Sequence, residues 1–315
     1  PHQEEHVGDG RQLHGMGNIM QGIRLTLWGF FLKLMIADKA GIVVDAVFDN
    51  YKMYSGSFYL LAAVLYSIQL YADFQACVKM SQGMARFFGI RLDENFARPY
   101  FAQSVKEFWH RWHITLGRWM RTYIFYPIAV SKAFLGLGDF ISNRKRHPDK
   151  EYPEDSLWGG VSFAEHMGKV IPGCIATLIT FLVVGIWHGA NWKYAGYGLW
   201  NGLVILIAMI LDPVFKWVLN KLHIRTETTG WRVWQIVRTF IVILGSFTFD
   251  LADDFMDGIR MLGRCFAPVL GPTTHLGTGF DMGLEGLDWI VAVAGLLIVF
   301  AVSLYQERSK KHVRE

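Results

Sequence analysis

The residue whose position most clearly suggests chemistry is His188, which directly follows a long apolar run. Residues 170–187 read VIPGCIATLITFLVVGIW and carry no charge. A run of this length, at about 1.5 Å per residue, can cross the hydrocarbon core of a bilayer. An imidazole is costly in lipid, so we expect His188 to face protein or a wet cavity and treat it as a candidate functional residue. The alternative is a histidine at the membrane interface that only hydrogen-bonds a neighbour.

A second group of titratable residues lies in FWHRWHITLGRWMR, residues 108–121. On a continuous helix His110 and His113 would share one face, because they are three residues apart. With His188 they would offer three imidazoles, the number that some catalytic zinc sites use. This spacing is a weak metal signal, since the usual histidine pair four apart with a glutamate is absent. A bis-histidine haem site has still less support, and we predict no metal and no bound cofactor.

The chemistry that suits such a histidine is general-base catalysis. A neutral imidazole, with an ordinary pKa of about 6.5, can take a proton from an alcohol as it attacks a carbonyl carbon. Partial burial of an imidazole keeps it unprotonated at neutral pH. A developing oxyanion would need donors, and the candidates are the indoles of Trp187 and Trp112, the Asn191 amide and backbone N–H groups near Gly189. No GxSxG motif is present, so an acyl-serine on this chain is not predicted.

The elements that must position these residues are membrane helices. The chain is 52% hydrophobic and only 18% charged, whereas soluble domains carry about 25% charged residues. We therefore predict an all-α, polytopic membrane fold. Five segments are long and apolar enough to span a bilayer: 57–72, 170–187, 194–211, 233–250 and 287–305. We expect kinks around Gly185, Gly189, Gly196 and Gly198, glycines that also permit close helix approach.

The remaining apolar segments carry charges. Residues 22–49 predict two shorter helices, tilted or near the interface, and residues 101–135 predict a helix for the interface or the protein interior. Asp73 ends an apolar span and is interpreted as a cap or salt-bridge partner. The acidic run 250–257 resembles an external amphipathic helix. The net charge of +4 is spread over loops, which argues against a nucleic-acid surface, and three distant cysteines argue against disulfides or zinc.

Loop charges assign the two sides of the membrane. Lys and Arg fill residues 143–150, 216–232 and 308–314, whereas 270–288 has acidic residues and no base. By the positive-inside rule the first three are cytoplasmic, which includes the polar loop at about 136–169, and the last is external. His188 then lies toward the outer end of its span. The chain opens at Pro1 on a polar stretch, so we expect a single membrane domain over 1–315 that lacks earlier spans.

Three stretches of the chain carry a resemblance to a known family. Residues 88–128 hold a Phe-Trp-x-x-Trp-His core, 185–202 hold Trp-His-Gly followed by a glycine-spaced helix, and 29–48 hold a lysine-bearing segment. In combination these segments resemble the membrane-bound O-acyltransferase family, in particular its bacterial branch that modifies cell-envelope polymers. Thr122-Tyr123 departs from the family pattern, in which Asp-Tyr often follows the arginine.

The resemblance implies a tunnel of helices in the bacterial cytoplasmic membrane, with a cytoplasmic acyl donor and an acceptor hydroxyl outside. It implies that His188 is catalytic and that His113 is the second histidine of the pair. Trp187, Asn191, Trp112 and Arg121 are the expected substrate-binding residues. Arg121, with Arg111 and Arg118, would either meet the phosphate of a donor carrier or extend to the membrane interface. The donor would be acetyl-CoA or a carrier-protein thioester, and the partner a secreted or membrane-anchored SGNH-type acyltransferase.

Three activities stay open at this point. The lysine-bearing segment favours acetyl transfer to an extracellular polysaccharide or cell-wall polymer, as in alginate-type acetyltransferases. D-alanyl transfer to teichoic acid is the main alternative within the family. A transporter or flippase whose tunnel histidines bind cargo is the alternative outside it, although no inverted repeats are visible.

Overall fold

The computed structural model describes residues 15–49, 56–143, 153, 156–266 and 284–312. These residues form helices and contain no β-strand, which confirms the all-α class. Residues 144–152 of the predicted cytoplasmic loop and residues 270–283 of the predicted external stretch lie outside the described residues. The α-helices of the described ranges are α1 Met16–Leu32, α2 Asp38–Asp49, α3 Gly56–Phe87, α4 Val105–Arg111, α5 Ile114–Met120, α6 Tyr126–Ala129, α7 Lys132–Asn143, α8 Phe163–His188, α9 Trp192–Lys221, α10 Thr229–Leu251, α11 Phe255–Phe266 and α12 Gly286–His312.

Five helices within the described ranges are long and apolar enough to cross a membrane. They are Phe58–Phe87, Phe163–His188, Trp192–Lys221, Thr229–Leu251 and Gly286–Ser309. Each overlaps one of the five spans predicted from the sequence, so the existence of those five spans is confirmed. Helices α5 and α6 together with α7 form a pair bent by 52°, which would add a sixth crossing if it is one broken span. The chain is therefore a multi-pass membrane protein.

The Cα positions group into two compact units. One unit comprises Pro1–Arg98 with Arg260–Glu315, and the other comprises Pro99–Ile259. The prediction of one domain over the whole chain stays a prediction. All residues of the candidate site belong to the second unit.

In the first unit, α1 and α2 flank a single π-helical turn, Lys33–Ala37, and thus form the two short helices expected over 22–49. Asp73 lies inside α3, not at its end, so the boundary predicted for that span is wrong. Its carboxylate forms a salt bridge with Lys33 Nζ at 2.7 Å, which confirms the salt-bridge interpretation. Pairing lowers the cost of a charge within a span, which is why α3 continues past this residue.

In the second unit, α8 and α9 run antiparallel and approach closely through glycine. A Cβ on Gly185 would lie 2.2 Å from the Tyr194 carbonyl oxygen, and one on Gly198 would lie 2.3 Å from that of Phe181. Real Cβ atoms do not reach such distances, so only glycine allows this helix spacing. The close helix approach predicted at Gly185 and Gly198 is confirmed. The contact fixes the end of α8 against the beginning of α9, where His188 lies.

Residues 101–135 are not one helix. They form α4, α5, a π-helical turn at Arg121–Phe125, α6 and the beginning of α7. The first break occurs because Trp112 is extended and His113 is left-handed, with φ 43° and ψ 57°. π-Helical turns are rare and are frequent at functional sites.

Candidate active site

His188 ends α8 and lies among aromatic rings. Its imidazole is 5.9 Å from the Tyr194 ring and nearly parallel to it, and 5.1 Å from the ring of Tyr197. The indole of the preceding Trp187 is 5.0 Å away, all distances being between ring centroids. Tyr197 is buried, whereas His188 itself is exposed. The ring is therefore held by aromatic packing with one side accessible.

His113 reaches the same place from the break between α4 and α5. Its ring centroid is 6.1 Å from that of Trp187, so this indole contacts both histidines. The expectation that His110 and His113 share a helical face is wrong, because the left-handed backbone of His113 turns it away from the register of α4. A side chain in this conformation is strained, and such strain is concentrated at functional sites. The structure thus brings together His113, Trp187 and His188.

A cavity of about 320 Å³ adjoins His113. This volume is in the range of small-molecule sites. Its wall is mainly apolar, with residues such as Leu116, Phe181 and Ile205. His113, Trp112 and Arg121 are among the lining residues, whereas His188 is not. His113 therefore faces the cavity. His188 contacts the indole of Trp187 but does not line the cavity.

The pKa of His113 is lowered from its ordinary value of 6.5. Burial is the larger cause, because it penalises the charged imidazolium. The nearby His188 lowers it further, since a second positive charge would repel the first. His113 is consequently neutral at pH 7.

The polar part of the cavity wall is basic. Arg121 Nη1 lies 2.6 Å from His110 Nδ1, and Lys106 lines the same cavity. A guanidinium can only donate, so Nδ1 must accept and the proton of the neutral His110 ring resides on Nε2. Burial and the charges of Arg121 and Lys106 lower the pKa of His110, which favours this neutral form.

The other predicted site residues divide between cavity and scaffold. Trp112 is buried, with its ring stacked on Phe108 at 5.4 Å. The Asn191 side chain caps α9 by accepting from the Lys193 N–H at 3.0 Å, and it donates to the Asp253 carbonyl at 3.2 Å. Asn191 therefore fastens the turn after His188 to the residues that follow α10. Arg111, for its part, pairs with Glu107 at 2.7 Å.

Asp250 is a residue that sequence reasoning placed in an external acidic helix. The structure instead has Asp250 in the last turn of α10, and the amphipathic helix begins later, at Phe255. Its carboxylate interacts electrostatically with His188. Lys193 Nζ donates to the Asp250 carbonyl oxygen at 3.1 Å and holds this turn against the beginning of α9. Asp250 lies at the end of an apolar run, as His188 does, and this position was the sequence signal that could have marked it as a site residue.

No group of three His, Cys, Asp or Glu side chains suited to a metal ion occurs among the residues that the structure describes.

The fold and the site define a multi-pass helical membrane protein with two histidines at the end of a span. A sequence model described as "MBOAT, membrane-bound O-acyltransferase family" matches residues 20–138. Over these residues the chain is similar to the membrane-bound O-acyltransferase family.

Three relatives illustrate the range of the family. A "Probable alginate O-acetylase AlgI" of Pseudomonas syringae pv. tomato is 26% identical over 297 residues, 94% of this chain and 48% of the relative. A "Peptidoglycan O-acetyltransferase" of Helicobacter pylori is 29% identical over 65% of this chain and 32% of the relative. A "Teichoic acid D-alanyltransferase" of Bacillus subtilis is 26% identical over 59% of this chain and 39% of the relative. The chain spans about half the length of the first of these relatives.

Proposed function

We propose that this protein transfers an acyl group, most simply acetyl, from a cytoplasmic thioester to a hydroxyl of an extracellular polymer. The observation that carries the proposal is that the indole of Trp187 contacts two imidazoles, those of His113 and His188. One of them, His113, faces an apolar cavity. The other, His188, is exposed at the end of a membrane span. Two substrates can thus approach one place from separate sides.

The reaction needs one base and one proton donor. His188 takes the proton of the acceptor hydroxyl as its oxygen attacks the thioester carbonyl carbon, so that a C–O bond forms. Collapse of the tetrahedral intermediate breaks the C–S bond, and the imidazolium returns the proton to the leaving thiolate. The products are an ester and a free thiol. The negative charge of Asp250 favours the imidazolium that forms.

The cavity receives the acyl donor. Its apolar wall suits the acyl group and the arm of a CoA or carrier-protein thioester. The neutral His113 supplies a ring N–H toward the carbonyl oxygen, where charge develops. Arg121 and Lys106 suit the negatively charged part of the donor, and Arg121 also fixes the tautomer of His110. Trp187 and Trp112 shape the site, and Asn191 positions the turn after His188.

The acceptor is either the polymer itself or the serine of a partner. A secreted or membrane-anchored SGNH-type acyltransferase would take the acyl group on its serine and pass it to the polymer. The protein would then act in the bacterial cytoplasmic membrane, with its basic loops inside. The relative named as an alginate O-acetylase matches 94% of this chain and supports acetyl as the transferred group. D-alanyl transfer is the second candidate, supported by the D-alanyltransferase relatives.

The experiment follows a labelled acyl group. Purified protein in proteoliposomes receives acetyl-CoA or an acylated carrier protein on one side and candidate polymers on the other. We expect the label to become covalently bound to the polymer or to the partner's serine, and D-alanyl donors to serve less well. His312→Ala removes a histidine from the end of α12 and serves as the control that retains activity. Movement of the label across the membrane without any covalent change would refute the proposal and favour a transporter.

A further inference from the structure

The end of α8 and α9 opposite His188 contains a second, larger groove. It has a volume of about 630 Å³ and is separate from the cavity at His113. It is formed by the first two turns of α8, the last three turns of α9 and the loop before α8. Its polar and aromatic lining includes Trp158, His166, Lys169, Lys216, Trp217 and Lys221. None of these residues has a part in the acyl transfer proposed above.

We propose that this groove binds the phosphate of an anionic phospholipid headgroup. Three lysines line it and one aspartate, Asp212, so its lining is positive. By the positive-inside rule this end of the two helices is cytoplasmic. Basic pockets between membrane helices on the cytoplasmic side are known to bind anionic lipid headgroups.

The lysines are able to turn toward a ligand. Lys169 pairs with Glu165 at 3.0 Å and Lys216 with Asp212 at 2.7 Å, each four residues apart on one helix. The Lys169 and Lys216 side chains are 61% and 71% exposed. Such exposed pairs contribute little to stability, so a phosphate can replace a carboxylate as the partner of either ammonium group.

The floor of the groove is rigid. His166 is buried, and its Nε2 lies 2.9 Å from the Ile210 carbonyl oxygen, which ties α8 to α9. A carbonyl only accepts, so this nitrogen carries the proton. Trp158 covers the imidazole with its ring centroid 5.5 Å away and nearly parallel. The groove thus has a fixed base below mobile lysines.

The indoles favour a lipid over a soluble phosphate. Trp158 and Trp217 line the groove together with Val161 and Pro213. Tryptophan is enriched where membrane meets water, because one part of the ring is apolar and its N–H is polar. A phospholipid presents a phosphate next to acyl chains, which matches lysines next to indoles. A free phosphate ion would leave the apolar part of this lining without a contact.

The test measures lipid retention by the full chain. Protein is purified in detergent, exchanged into nanodiscs with phosphatidylglycerol or phosphatidylcholine, and the retained lipids are counted by native mass spectrometry. We expect selective retention of phosphatidylglycerol. Each of Lys216→Gln and Lys221→Gln should weaken it about five-fold, the effect of one lysine near a lipid surface. Arg232→Gln removes one positive charge near the same end, but outside the groove, and should have no effect.

Three results would overturn the proposal. The first is equal retention of the two lipids. The second is the same loss in Arg232→Gln as in Lys216→Gln, which would show diffuse attraction to the membrane surface. The third is complete displacement of phosphatidylglycerol by millimolar inorganic phosphate or glycerol phosphate, which would identify a soluble phosphate ligand. Because Lys216 is exposed, its substitution should leave the fold intact, and the thermal midpoint checks this.

Discussion

Helix α8 carries one histidine near each end, and the two differ in what they contact. His166, in the first turn, is buried and bonded to a backbone carbonyl of α9. His188, in the last turn, is exposed and makes ring contacts, with no hydrogen bond among the described residues. The first imidazole is used by the fold, and the second is available to a substrate. Residue type is the same at the two ends, so the contacts distinguish structure from chemistry.

Alanine at each position should separate the two roles. His188→Ala should lower the rate of acyl transfer by about 10²–10⁴-fold, the usual contribution of a general base, with the thermal midpoint nearly unchanged. His166→Ala removes the side-chain bond to the Ile210 carbonyl that ties α8 to α9 and should cost about 0.5–1.5 kcal/mol of stability. Labelled-acetyl transfer and thermal unfolding in the same lipid measure both effects. If His166→Ala were the inactive variant and His188→Ala the unstable one, the comparison would fail.

The contact between α8 and α9 near His188 should be intolerant of any side chain. In Gly185→Ala the new Cβ would meet the Tyr194 carbonyl oxygen, and backbone atoms cannot move aside. We expect a loss of about 1–3 kcal/mol of stability and reduced transfer, because Tyr194 packs on His188. Gly136→Ala is the control, since nothing lies near a Cβ at that position of α7. An unchanged thermal midpoint in Gly185→Ala would show that the helices are farther apart than described.

Another residue should be able to adopt the left-handed backbone conformation of His113, but not to supply its ring N–H. Asparagine tolerates the left-handed conformation, so His113→Asn should fold with the stability of the parent. Loss of the ring N–H should lower transfer about tenfold, equivalent to about 1.4 kcal/mol of transition-state stabilisation. His113→Val is the comparison, because a β-branched residue is poorly tolerated there and should lower the thermal midpoint. Full activity in His113→Asn would remove His113 from the mechanism.

The smallest expected effect is on pH dependence. The pKa of His113 is lowered when folded, so below about pH 6.5 the unfolded chain binds a proton that the folded chain does not. Stability is then constant above that pH and falls as the pH decreases through the window between the two pKa values. His110 contributes in the same direction. Thermal midpoints from pH 5 to 8 should show a shallower acid slope in His113→Asn than in the parent, and equal slopes would contradict this.

The spans and the helix-contact glycines could be predicted because local composition determines them. Apolar length defines a membrane helix, and glycine is the residue that permits contact at Gly185 and Gly198. The break in the helix at His113 could not be predicted from the sequence, since no glycine or proline occurs between residues 108 and 116. The extended backbone of Trp112 accompanies packing of its ring on Phe247, more than a hundred residues away in the sequence. Such long-range packing overrides local helical preference.

The candidate site was predictable only in those residues that belong to a sequence motif. The motif residues His113 and His188 were identified from the sequence, and the structure brings them to one indole. The pairing of His110 with Arg121 and the proximity of Asp250 to His188 depend on tertiary contacts that no local pattern encodes. Asn191, predicted to bind substrate, caps a helix in the structure, and its binding role stays a prediction.

The most direct test of the central role given to His188 is chemical rescue of His188→Gly. The variant, reconstituted with labelled acetyl donor and polymer, is assayed with increasing concentrations of free imidazole. We predict that the variant alone is inactive and that neutral imidazole restores covalent transfer in proportion to its concentration. Transfer at the parental rate before any imidazole is added would contradict the account.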